Sequence, residues 1–145
     1  MRQSKIFFLR SKKTRHGGAE VYLSRLSDAL KDKGVQHEVI HSIFPDFLSS
    51  WIKAILFNFQ TCLFKKDRFY FSLERITCPD IYRAGDGVHK VFLKNQKKSK
   101  SNPLHLVYLF LEKRCFNNAK LIVANSNMVK RQIIDSYCID SEKIK

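Results

Sequence analysis

Ile6-Phe7-Phe8-Leu9, His16-Gly17-Gly18 with the segment from Ala19 to Lys33, Gly34, and Gln36-His37-Glu38-Val39-Ile40 together decide how this chain folds. Four consecutive apolar residues mark a short strand buried on both faces. After the glycine pair, Tyr22, Leu26, Ala29 and Leu30 share one helical face, while Ser24, Arg25, Asp28, Lys31 and Asp32 fall mostly on the other. Gly34 supplies a helix stop, and Gln36 to Ile40 reads as a second strand. Strand, glycine turn, helix, glycine, strand is a βαβ unit, whose two strands run parallel.

The same alternation continues outward. Leu48, Trp51, Ile52, Ile55, Leu56, Phe59 and Leu63 form a wide apolar stripe between Phe47 and Phe64, with Lys53 the only charge between Asp46 and Lys65. Ser49, Ser50, Asn58, Gln60 and Thr61 make this stretch too polar for a membrane span, so a packed or interfacial helix is expected. Phe69 to Leu73 and Asp80 to Ala84 read as strands. Pro103 opens a helix to about Asn117, with Leu106, Val107, Phe110, Leu111 and Phe116 available for its buried side. Leu121 to Ala124 is a further buried strand, and Ser126 caps a helix from Asn127 to about Tyr137. Asn95 to Asn102 reads as a basic loop. The expected fold class is α/β: one domain with a Rossmann-like, mainly parallel sheet and helices on both faces.

Charge is the unusual quantity. The 145 residues hold 27 Lys and Arg against 13 Asp and Glu, a formal charge of +14. Arg2, Lys5, Arg10, Lys12, Lys13 and Arg15 form one acid-free run, and Lys90, Lys94, Lys97, Lys98 and Lys100 another. Such a balance favours polyanions: phosphate-rich ligands, nucleic acid or an anionic membrane surface. Cys62, Cys78, Cys115 and Cys138 form no close-spaced pair, which argues against a zinc site and, with no signal-peptide pattern, for free thiols in a cytoplasmic protein. No metal and no cofactor are expected.

In open parallel sheets, ligands bind beyond the carboxyl ends of the strands. That rule selects residues 10–18, 85–89 and 125–126. Gly17-Gly18 precedes the first helix, where missing Cβ atoms and free N–H groups suit an anion, although from the residues alone a plain turn is the better account. Asp86 stands between Gly85 and Gly87, with His89 three residues on; the carboxylate and imidazole can orient hydroxyls or take a proton, or simply make a turn and open a helix. Asn125 borders the third loop, where capping accounts for Ser126.

Three pieces carry a family resemblance: Gly17-Gly18-Ala19-Glu20 with the following helix and strand, Cys78-Pro79-Asp80-Ile81-Tyr82-Arg83-Ala84-Gly85-Asp86-Gly87, and Leu111-Glu112-Lys113-Arg114 followed by Ala119 to Ser126. In this order and spacing the chain resembles the amino-terminal half of family 4 glycosyltransferases of the GT-B fold, particularly the lipopolysaccharide core glucosyltransferases. The resemblance implies retaining transfer of a sugar from a nucleotide-sugar donor to a glycan or lipid-linked acceptor in cell-surface polysaccharide or lipopolysaccharide synthesis. It implies a diphosphate contact for Gly17 and Gly18, with Asn125 near that cleft, and catalytic-edge positions for Asp86 and His89. Residues 1–145 are then the acceptor-side lobe. The carboxyl-terminal donor-binding lobe, with its Glu-x7-Glu pair, is absent, leaving the chain inactive or incomplete alone. A peripheral location at the inner face of the cytoplasmic membrane fits the positive charge and the Trp- and Phe-rich helix. Two competing readings are a basic nucleic-acid-binding protein, disfavoured by the βαβ order and by the absence of a known nucleic-acid motif, and a non-catalytic fragment that pairs with another chain.

Overall fold

The computed structural model describes residues 5–97 and 101–145. Arg2, Lys98 and Lys100, counted in the basic runs, lie outside the described residues. The elements follow as β1 (Ile6–Leu9), α1 (Gly18–Asp32), β2 (His37–Ile40), α2 (Ser50–Leu63), β3 (Phe69–Ser72), β4 (Ile81–Ala84), α3 (His89–Asn95), α4 (Pro103–Asn118), β5 (Leu121–Ala124) and α5 (Asn127–Tyr137). All five strands join one sheet in the order β2-β1-β3-β4-β5, and every pairing is parallel. The α/β class with a parallel, helix-flanked sheet is as the sequence pattern requires.

Period-two alternation on β1 shows how the layers form. Phe8 and Leu9 are both fully buried and point to opposite faces. Phe8 packs with Leu23 of α1 and with Leu73, while Leu9 packs with Phe57 of α2, Tyr70 and Ile76. A third cluster joins Tyr82 and Ile122 to Phe116 of α4 and Ile133 of α5. The chain starts at β1, steps outward to β2, then returns through α2 on the opposite face to reach β3. Right-handed crossovers taken in opposite directions place α1 and α2 on opposite faces. The direction of winding therefore reverses between β1 and β3.

Helix ends follow local chemistry. Gly34, with φ 67°, closes α1 as its N–H donates to Lys31 O. Ser126 caps α5, its side chain accepting from Val129 N at 3.2 Å. The short helix α3 begins at His89 and ends at Asn95, so the basic stretch expected as a loop from Asn95 opens on a helix end.

At the amino end of β4, buried Asp80 accepts from Tyr70 N (2.9 Å) and pairs with Lys65 (2.7 Å) and Lys120 (3.0 Å). Burial acts to raise its pKa, but the bonds from Lys65, Tyr70 N and Lys120 outweigh that and hold it below the ordinary value. Asp80 therefore ties strand β3 to β4 and to the end of α2.

The expectation of four free thiols is corrected. Cys62 and Cys78 form a disulfide, with Cα atoms 5.8 Å apart, while Cys115 (buried) and Cys138 (exposed) are free. The last turn of α2 lies beside the segment entering β4, a proximity created by β3 and invisible in a 16-residue separation. Burial pushes the Cys115 thiol up to about 12.

On α2, Phe57 is buried, whereas Ile55, Phe59 and Leu63 stay exposed at helical spacing. Leu106 and Phe110 are exposed on neighbouring α4. Among the described residues, no helix is long and apolar enough to cross a membrane.

Candidate functional site

The carboxyl ends of four strands converge on a cleft of about 380 Å³. Arg10, Ser11, Lys12 and Lys13 enter it after β1, Ser42, Phe44 and Asp46 after β2, Glu74 and Arg75 after β3, and Asp86 after β4. Ser50, Lys53, Ala54 and Phe57 of α2 and Tyr108 and Leu111 of α4 complete the walls. The cleft thus lies over the β1–β3 reversal, the place where loops from adjacent strands diverge and leave room for a ligand.

One side is organised by Arg10, the residue directly after β1. Its Nε and Nη2 donate to Glu20 at 2.9 and 2.8 Å, and its Nη1 donates to Glu74 at 3.0 Å. Ser11 donates to Glu74 through both backbone N–H and Oγ, each at 3.0 Å, and Thr14 Oγ1 donates to Glu20 at 2.7 Å. This network clamps the basic loop to β3 and to the start of α1.

Gly17, with φ 148°, is the residue before α1, and a Cβ there would collide with the Glu20 carboxylate. Glycine is therefore required for Glu20 to fold back over the helix start. Thr14, together with Arg10 and the backbone N–H of Glu20 itself, draws the Glu20 pKa from 4.5 down to about 2. A lowered carboxylate pKa stabilises the folded state fully above the unfolded value and loses that contribution as pH falls towards the folded one. Between about pH 4.5 and about pH 2, the native protein should therefore lose stability more steeply than Glu20→Gln, as followed by urea midpoints. Parallel pH curves for the two proteins would contradict this account of the loop.

The other side rests on a buried ion pair. Glu112 is fully buried on α4 and accepts from Arg75 Nε (3.2 Å), His89 N (2.7 Å), Lys90 N (3.2 Å) and the Tyr137 hydroxyl (2.6 Å). Burial alone would lower the Arg75 pKa, but neighbouring groups, Glu112 among them, raise it above its ordinary value. The guanidinium also lies 5.5 Å from the Tyr108 ring centre and bonds Gly87 O at 3.5 Å. Arg75 thereby fixes the Gly85–Gly87 turn that presents Asp86. The Asp86 side chain is exposed and has no hydrogen bond or ion pair among the described residues. The same holds for Lys12 and Lys13, so among the described residues the cleft lining offers two cations and one carboxylate with no direct partner, Asp86 only adding to the field on Arg75.

The residues picked from sequence separate on this geometry. Asp86 lines the cleft; His89, Gly17, Gly18 and Asn125 do not. The His89 ring bonds His105 through Nε2 and Nδ1 at 3.1 Å and stacks on Phe92, and burial followed by nearby Arg75 lowers its pKa. Asn125 Nδ2 donates to Gly85 O at 2.9 Å and so braces the Asp86 turn from β5. Arg75 and Tyr108 carried no local signal of function, and Glu112 stood in a piece of the resemblance without a role of its own. The charge run had included Arg10, Lys12 and Lys13, but only strand order brings them opposite Asp86. Among the described residues, no cluster of three or more His, Cys, Asp or Glu is arranged to hold a metal ion. Neither a protein-family model nor a curated protein matches this chain.

Proposed function

We propose that residues 1–145 form the acceptor-side lobe of a retaining glycosyltransferase, which moves a sugar from a nucleotide-sugar donor to a glycan or lipid-linked acceptor of the cell surface. The observation that carries this reading is the cleft at the β1–β3 reversal, with a free carboxylate on one side and free lysines on the other. In this reading Asp86 accepts a hydrogen bond from an acceptor hydroxyl, and Asn125 and Arg75 hold the turn that presents it. The Gly17-Gly18 loop meets the donor diphosphate, and Lys12 and Lys13 ahead of it supply cations for phosphate oxygens within the cleft. His89, occupied with His105 outside the cleft lining, has no substrate contact. The donor nucleotide is held chiefly by a second lobe, so these residues supply one wall of a two-walled site.

The charge of +14 and the exposed apolar residues of α2 and α4 support a working position against an anionic membrane. Amide shift mapping by NMR tests the lobe assignment, with inorganic pyrophosphate and a neutral oligosaccharide as separate probes. Pyrophosphate is expected to move residues 10–18, and the oligosaccharide residues 84–88 and Tyr108. Shifts confined to other surfaces, or none at millimolar probe, would remove the assignment.

A further inference from the structure

A second cavity, of about 390 Å³, opens between α2 and α4 next to the cleft. Its lining is Ile55, Asn58, Leu106, Val107, Phe110 and Leu111. The single polar member is already engaged: Asn58 Oδ1 accepts from Thr77 N at 2.7 Å and from Thr77 Oγ1 at 3.1 Å. Leu106 and Phe110 are more than half exposed, at 55% and 57%. The groove is therefore apolar, open to solvent and within the usual range of small-molecule sites, about 300–1,000 Å³.

Its position relative to the cleft gives it meaning. Leu111 lines both cavities. On α2, Ala54 and Phe57 face the cleft and Ile55 and Asn58 face the groove; on α4, Tyr108 faces the cleft and Leu106, Val107 and Phe110 the groove. A basic, polar chamber and an apolar one thus adjoin along one pair of helices, with Leu111 at their shared edge. A ligand spanning both has a negatively charged, hydroxylated head and a hydrocarbon chain.

We propose that the α2–α4 groove binds the hydrocarbon chain of an anionic amphiphile whose phosphate-bearing head occupies the adjoining cleft. This rests on the acceptor-side reading above and narrows it: the acceptor is linked to its lipid through phosphate, and the protein grips the chain itself. Lys12 and Lys13 take the phosphate, and Lys53 of α2, 3.8 Å from exposed Asp46, stands at the same wall. The occupant is a single chain drawn into a groove; a flat bilayer surface would not select chain length.

Titration calorimetry with butyl, hexyl and octyl phosphate, kept monomeric, tests this directly. Each pair of added methylenes is expected to tighten binding by up to about fifteenfold, the gain of fully burying two CH2 groups. Octyl glucoside, with the same chain and no charge, is expected to bind at least about tenfold more weakly than octyl phosphate. Leu106→Asp and Phe110→Asp alter exposed positions, so folding is retained; both should abolish the chain-length dependence and leave butyl phosphate unchanged. Lys12→Ala with Lys13→Ala should remove the preference for phosphate over glucoside. Equal affinities for butyl and octyl phosphate would overturn the groove, as would adsorption to anionic vesicles without any chain-length effect. With pyrophosphate still shifting residues 10–18, such a result would leave the lobe assignment standing; loss of that response as well would be the failure of the assignment.

Discussion

Replacing Glu112 by alanine is expected to destabilise the protein by about 3–5 kcal/mol, because it leaves a buried guanidinium without its counter-charge. The Arg75 side chain is 13% exposed and Glu112 is completely covered, so water cannot take over as the partner. Two backbone N–H groups, of His89 and Lys90, and the Tyr137 hydroxyl lose their acceptor at the same time. Each unsatisfied buried donor adds about 1–3 kcal/mol where no water enters, so the upper part of the range is the better guide. Glu112→Gln keeps one acceptor oxygen, but it removes the charge and turns the other oxygen into a donor among donors; with half the acceptor set retained, its loss should be smaller. Urea unfolding of the three proteins gives the comparison. A loss below about 1 kcal/mol for the alanine variant would mean that Glu112 is not the hub described.

The second large effect is expected from reduction. Opening the Cys62–Cys78 bridge releases a loop of 16-residue separation, and closure of a loop that size constrains the unfolded chain by about 3 kcal/mol. For a chain of this length that corresponds to a melting temperature lower by roughly 6–12 °C. Cys62→Ser with Cys78→Ser should melt where the reduced native protein melts, and added reductant should leave the variant unmoved. An oxidised protein whose midpoint does not respond to reductant would rule the bridge out as a stabilising element.

Much of the fold was readable because its signals are local. A strand buried on both faces must be apolar at consecutive positions, and Ile6 to Leu9 and Leu121 to Ala124 are; their observed bounds coincide with the apolar runs. Ser126 and Pro103 mark helix starts through groups within a few residues of themselves. The site was less legible for the opposite reason. Glu112 enters the sequence reading only as part of the Leu111–Arg114 piece of the resemblance, and its partner Arg75 is 37 residues away. Tyr108 enters the cleft only because α4 packs beside α2. The disulfide was missed likewise, since no spacing rule joins a helix end to a segment beyond an intervening strand. Gly17-Gly18 gave a turn correctly, but the glycine requirement comes from Glu20 folding back, and that depends on where Arg10 and Thr14 lie.

The β3–β4 pairing has a mechanical consequence. Strand β1 is in register with both neighbours along its whole length, and so is β4 with β5, but β3 meets β4 only at Phe71 with Ile81 and Ser72 with Tyr82. The buried clusters divide at the same place, two around β1 and one around β4 and β5. The sheet therefore divides into two halves, β2-β1-β3 and β4-β5, at a short seam that Arg75–Glu112, Asp80 and the packing of α2 on α4 bridge. Glu74 and Arg75 stand on one half, Asp86 and Tyr108 on the other, so the seam runs beneath the cleft floor. Local opening at this seam is expected to widen the cleft, so the amides of Arg75 and Gly87 should exchange with solvent before those of β1.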